Sequence, residues 1–146
     1  MALKRCVAAT VIAIGVVSVA ISGAAQNEER FKARLSPVPI DTTMQPNVRG
    51  SGSVTAVLVG TKLTITGSFD GLAGPATVAR VHKGMATGVR GSAFHDLNVS
   101  KAGKGAVDGS FNLTPDQVES LKKGQIYVQI HSEKAPDGNL WGWLLR

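Results

Sequence analysis

Three histidines, His82, His95 and His131, are the side chains of this chain best able to hold a metal or move a proton near neutral pH. His82 closes the run Ala76–His82, and Arg80, two residues earlier, shares its face if the run is a strand. His131 lies in Gln125–Ser132, where Ile126, Val128 and Ile130 alternate with Tyr127, Gln129 and His131. If those two strands are neighbours, both imidazoles project from one sheet face. His95, within Phe94-His95-Asp96, can join them only if its own strand lies alongside. The candidate metal set is therefore His82 and His131 with His95 as a third, copper or zinc being the metals that imidazole suits. Asp96 and Asp137 are candidate oxygen ligands or partners of the histidines. Two imidazoles alone are fewer donors than a stable zinc site gathers.

Other chemistry finds little support. There is no Gly-x-Ser-x-Gly elbow, and His131 and Ser132, as adjacent strand residues, face opposite ways. The acids are scattered through loops and turns, with no signature of paired carboxylates. Cys6, the only cysteine, precedes the apolar run Val7–Ile21, which is followed by Ser22-Gly23-Ala24-Ala25. With Lys4 and Arg5 in front, this is the order of a secretory signal peptide over 1–25, cleaved after Ala24 or Ala25, an uncleaved anchor being the alternative. Cleavage would remove the thiol, so the exported chain would have no disulfide or thiolate. It would also leave no membrane span and place the chain outside the cell or in the periplasm.

The net charge is +6 over 146 residues, and the leader carries two cations and no acid, leaving +4 on the exported part. No basic stripe interleaved with aromatics marks a nucleic-acid surface, so nucleic acid is not an expected partner.

The elements that would position the histidines are strands. After a short alternating stretch at Phe31–Leu35, prolines 37, 39 and 46 mark 26–50 as an edge strand followed by extended chain. From 51 to 146 the core strands are expected at Ser53–Val59, Lys62–Phe69, Ala76–His82, Ser92–Val99, Val107–Leu113, Gln125–Ser132 and Leu140–Leu145. Gly60-Thr61 and Ala135–Gly138 are turn candidates. Thr114-Pro115-Asp116-Gln117 reads as a capping box opening one short helix near 115–123 that stops at Gly124. The expected architecture is a single all-β domain over 26–146, an antiparallel β-sandwich with Greek-key connections. Trp141 and Trp143 share one face of the last strand; large residues usually fill a sandwich, so they are expected inside. Facing outward, they would instead form a docking patch.

The order of these pieces resembles the CHRD domain, named for chordin and found in many secreted microbial proteins. The residues that carry the resemblance are Ala79–Gly84, Leu113-Thr114, Leu121, Gly124, Tyr127-Val128, Ile130-His131, Pro136-Asp137-Gly138 and Gly142. The family commonly has His-Ile-His where this chain has Arg80-Val81-His82, and Gly-Glu-Ile-Arg-Gly where it has Gly138–Gly142, so one histidine, an acid and a base are replaced. The resemblance implies an immunoglobulin- or superoxide-dismutase-like sandwich with the strands of His82 and His131 adjacent. It implies a secreted binding module and no defined reaction. Superoxide dismutase itself is excluded, because its copper and zinc share six histidines and an aspartate, against three histidines here. The resulting expectation is a non-enzymatic module, without catalytic residues, that binds a protein or small ligand of undefined identity through Arg80, His82, His131 and Trp141. The alternatives are copper or zinc binding at the histidines and an accessory subunit docking through Trp141 and Trp143.

Overall fold

The computed structural model describes residues 26–146; the leader and Cys6 lie outside the described residues. The elements are β1 (Glu28–Pro37), β2 (Ser51–Val59), β3 (Lys62–Asp70), β4 (Ala76–Lys83), β5 (Ser92–Val99), β6 (Gly105–Asn112), α1 (Pro115–Lys122), β7 (Ile126–Ser132) and β8 (Leu140–Trp143). Every pairing between strands is antiparallel. Their boundaries follow the alternation in the sequence: in β1 Phe31, Ala33 and Leu35 are buried while Lys32 and Arg34 are exposed. The β2–β3 hairpin pairs Val59 with Lys62 across Gly60-Thr61. Gly60 has φ +62° there, the left-handed first position that a II′ turn requires.

The strands close into a barrel in the order β1-β2-β3-β6-β5-β4-β7-β8, which corrects the expected sandwich. Closure comes from two strands that change partners along their length. β1 pairs β2 from Glu28 to Leu35, then pairs β8 through Ser36 and Pro37. β5 pairs β4 from Ser92 to Leu97, then β6 through Asn98 and Val99. β1 is accordingly flanked on both sides and is not an edge strand. Closure is made by short seams, two paired positions between β5 and β6 and two between β1 and β8. β8 is shorter than expected: the backbone of Leu145 turns from β7 to Lys32 of β1, bonded in both directions at 2.7 and 2.9 Å.

Helix α1 plugs the chain between β6 and β7. Thr114 caps it, with Thr114 Oγ1 accepting from the Gln117 amide at 3.2 Å and Gln117 Oε1 accepting from the Thr114 amide at 2.9 Å. Leu121 is fully buried in the core. Its burial is worth about 2 kcal/mol against about 1 kcal/mol for the cap, so the helix is anchored mainly from below.

Asn139 ties the last hairpin to the segment before β2. It is fully buried, its Oδ1 accepts from Ser132 Oγ at 3.0 Å, and its Nδ2 donates to the Arg49 carbonyl at 2.7 Å. The turn beneath it closes with the Gly138 amide donating to the Ala135 carbonyl at 3.1 Å. Truncation at this position leaves the buried Ser132 hydroxyl without its acceptor and the Arg49 carbonyl without its donor, a loss of about 1–3 kcal/mol for the buried group and less for the other. Asn139→Ala is expected to destabilise the chain by about 3 kcal/mol, read as a lower urea midpoint with an unchanged slope.

Candidate functional site

The inner faces of β4 and β7 carry Ala79, Val81, Val128 and Ile130 into the core, so Arg80, His82, Tyr127, Gln129 and His131 face outward. On β8, Leu140 and Leu144 are buried below, while Trp141 and Trp143 stand half-buried on the outer face. This corrects the expectation that both indoles fill the interior. Leu140, Gly142 and Leu144 take the inner positions of this strand, Gly142 lying close against Leu35, so the alternate Trp141 and Trp143 point outward.

The outer face becomes a layer of packed rings, near-parallel at His82–Tyr127 and tilted or edge-on at the indoles. Tyr127 lies 4.8 Å from His82, 4.4 Å from Trp143 and 5.8 Å from Trp141, centre to centre. His82 and His131 have ring centres 6.5 Å apart and planes 27° from parallel. Their strand positions are offset, His82 pairing with Tyr127 and His131 with Val78, so the side chains lean along the sheet to meet. The Arg90 guanidinium lies 5.4 Å above the Trp141 ring. Trp141 also packs on the cluster of Val38, Val48 and Ala135, as do Ile40 and Met44.

A loop from Gly84 to Gly91 holds this layer. The Gly84 amide donates to Gln125, Thr87 Oγ1 donates to the Gly124 carbonyl and Gln125 Nε2 donates to the Met85 carbonyl, at 2.8, 2.7 and 2.9 Å. The loop returns close to the sheet at Gly91, whose carbonyl accepts from His82 Nδ1 at 3.0 Å and from Tyr127 Oη at 3.2 Å. A Cβ at Gly91 would meet the Lys83 carbonyl at 1.8 Å, so only glycine permits that approach.

These bonds fix both imidazole tautomers. A carbonyl only accepts, so the 3.0 Å bond to Gly91 puts the His82 proton on Nδ1, and the 2.8 Å bond from His131 to the Pro136 carbonyl does the same for His131. Nε2 of each ring is left as an acceptor. On His131 it faces the Gln129 amide at 3.5 Å, and Gln129 Nε2 also donates to the Asp137 carbonyl at 3.1 Å. On His82, Nε2 is buried without any hydrogen-bond partner. Leaving such a group unpaired costs about 1–3 kcal/mol, which a ligand here would recover.

The face is cationic. Arg80 pairs with Asp96 at 2.9 Å, an exposed bridge of little energetic weight that keeps Asp96 from the histidines. Burial chiefly, then Coulombic opposition from His131 when it is protonated and from Arg80 and Arg90, pushes the His82 pKa below its ordinary value, against the opposing bond to Gly91.

His95 does not join the pair. Its strand does lie beside β4, but His95 pairs with Val81, whose side chain points inward, and a bulge follows between Val81 and His82. Paired residues share a face, so His95 turns away from His82 and stacks on Phe111 at 3.7 Å. Among the described residues no group of three or more His, Cys, Asp or Glu could hold a metal. Ser132 Oγ is engaged by Asn139 and the Ala135 amide, so it is not presented to His131 as a nucleophile. A cleft of about 680 Å³ lies elsewhere, lined by residues such as Arg34, Ser53, Ser68 and Lys104, and contains no histidine.

Tyr127 and Gln129 were legible as sharing His131's strand face, though their chemistry was not assigned. Arg90 and Gly91 had no signal, because nothing local specifies where their loop returns.

A family model described as the CHRD domain matches residues 17–144. No curated protein and no solved structure matches the chain.

A depressed histidine pKa makes stability depend on pH with a definite sign. Below the unfolded value, near pH 6.5, the unfolded chain binds a proton that folded His82 refuses, so folding weakens as pH falls. Urea unfolding is expected to show lower stability at about pH 5.5 than at about pH 7.5, with a shallower dependence in His82→Phe. An equal dependence in that variant would assign the effect elsewhere.

Proposed function

The chain belongs to the CHRD domain family, and from that premise we propose that it is a non-enzymatic binding module acting outside the cytoplasm. Its ligand is received on the outer face of β4, β7 and β8, by Arg80, His82, His131 and Trp141, with Tyr127 beneath. The observation that carries this reading is the buried, unpartnered Nε2 of His82 within a built layer of rings. CHRD domains are typically extracellular, in keeping with the leader pattern of residues 1–25. No helix among the described residues is long and apolar enough to cross a membrane.

A second reading, copper or zinc held by His82 and His131, draws on the fixed tautomers. Metal-bound imidazoles ordinarily donate their other nitrogen to a carbonyl or carboxylate, as both rings do here. His95 has no place in that reading. The accessory-subunit reading draws on the outward Trp141 and Trp143, but Trp141 is already covered by Arg90 and by the Val38 and Val48 cluster.

The face reading requires the indoles to meet solvent in the free chain. Iodide is expected to quench part of the tryptophan emission, and less of it in Trp143→Phe. A blue emission immune to iodide would close the face and remove the reading. The non-enzymatic part would fall to any ester, glycoside or phosphate turnover that His82→Ala or His131→Ala abolishes. For the metal reading, natively purified chain is expected to carry about one copper or zinc, lost in His131→Ala.

A further inference from the structure

We infer that this face takes one cuprous ion, bridged between Nε2 of His82 and Nε2 of His131 in a two-coordinate site. The inference rests on the metal reading of the face and narrows it to one metal and one oxidation state.

Donor count selects the ion. The two imidazoles are the only ones on the face, and Asp96 is held by Arg80. Zinc wants four ligands, at least three of them from protein in ordinary sites, and Cu(II) favours a tetragonal set. Monovalent copper, with a filled d shell, is satisfied by two nitrogen donors in line. Bond lengths of about 2.0 Å to each nitrogen put the two ring centres about 6 Å apart in that arrangement. The observed separation is 6.5 Å, and the ion would displace the 3.5 Å contact of Gln129 Nε2 on His131 Nε2.

Electrostatics points the same way. The Arg90 guanidinium lies over the Trp141 ring of the same face, and Coulomb energy scales with charge, so a dication meets twice the opposition of a monocation. The surrounding rings complete the case. Tyr127 stacks on His82, Trp143 packs tilted against Tyr127 and Trp141 meets it edge-on, an apolar wall against the water that zinc or Cu(II) would recruit as further ligands. Uptake involves no redox step: Cu(I) arrives as such, and both nitrogens are already deprotonated.

The test is an anaerobic titration of the purified chain with Cu(I) against a chromophoric cuprous chelator, a parallel Zn(II) titration, and copper K-edge absorption of the loaded protein. Expected are one Cu(I) per chain, an edge typical of linear two-nitrogen coordination, and Zn(II) bound more weakly. His82→Ala and His131→Ala should each lower Cu(I) affinity at least about 100-fold, while His95→Ala leaves it unchanged, with circular dichroism confirming that each variant folds. Equal affinity for Zn(II), three- or four-coordinate copper, or loss of binding in His95→Ala overturns the inference. Zn(II) bound through His82 and His131 with no Cu(I) would overturn it and leave the metal reading standing, whereas no uptake of either metal would remove both.

Discussion

Every side chain of β7 is buried, and this double coverage of one strand is the constraint on which the rest turns. Ile126, Val128 and Ile130 are buried because the barrel closes beneath them. Tyr127, Gln129 and His131 are buried for a different reason: the Gly84–Gly91 loop, the Pro136–Gly138 turn and the indoles of β8 roof the outer face. A polar side chain in such a place must find partners. Gln129 and His131 find theirs in backbone carbonyls of the turn, and Tyr127 finds both donor and acceptor in Gly91. His82 satisfies only one of its two nitrogens.

That single unsatisfied atom gives the face its chemistry. The same carbonyl that pins Nδ1 orients the ring and leaves Nε2 as a lone pair in a cationic, ring-lined setting. Burial and the neighbouring arginines keep the lone pair unprotonated where an exposed histidine would begin to take up a proton. The departures from the family pattern fit this environment. Arg80 is paired across the strand with Asp96, Asn139 meets its partners without a charge to desolvate, and Trp141 carries the Arg90 guanidinium on its ring.

The period-two alternation of β1, β3 and β7, the turn at Gly60, the helix opened by Thr114 and the hairpin turn ending at Gly138 were all legible, because each depends on neighbours a few residues apart. Barrel closure was not. It depends on β1 and β5 changing partners midway, and neither Pro37 nor Asn98 signals which distant strand it will meet. The indoles were placed inside for the same reason: alternation says that Trp141 and Trp143 share a face, not which face is the core.

By itself the sequence determined that His82 and Arg80 share one strand face, and that Tyr127, Gln129 and His131 share another, since a strand's geometry is set by its own backbone. Tertiary structure alone decided that these two faces are one, that His95 pairs with inward-facing Val81 and so lies on the other side of the sheet, and that Gly91 returns to fix a proton on Nδ1. Register between distant strands and the path of a loop are settled by packing over the whole barrel, and no local pattern encodes that sum.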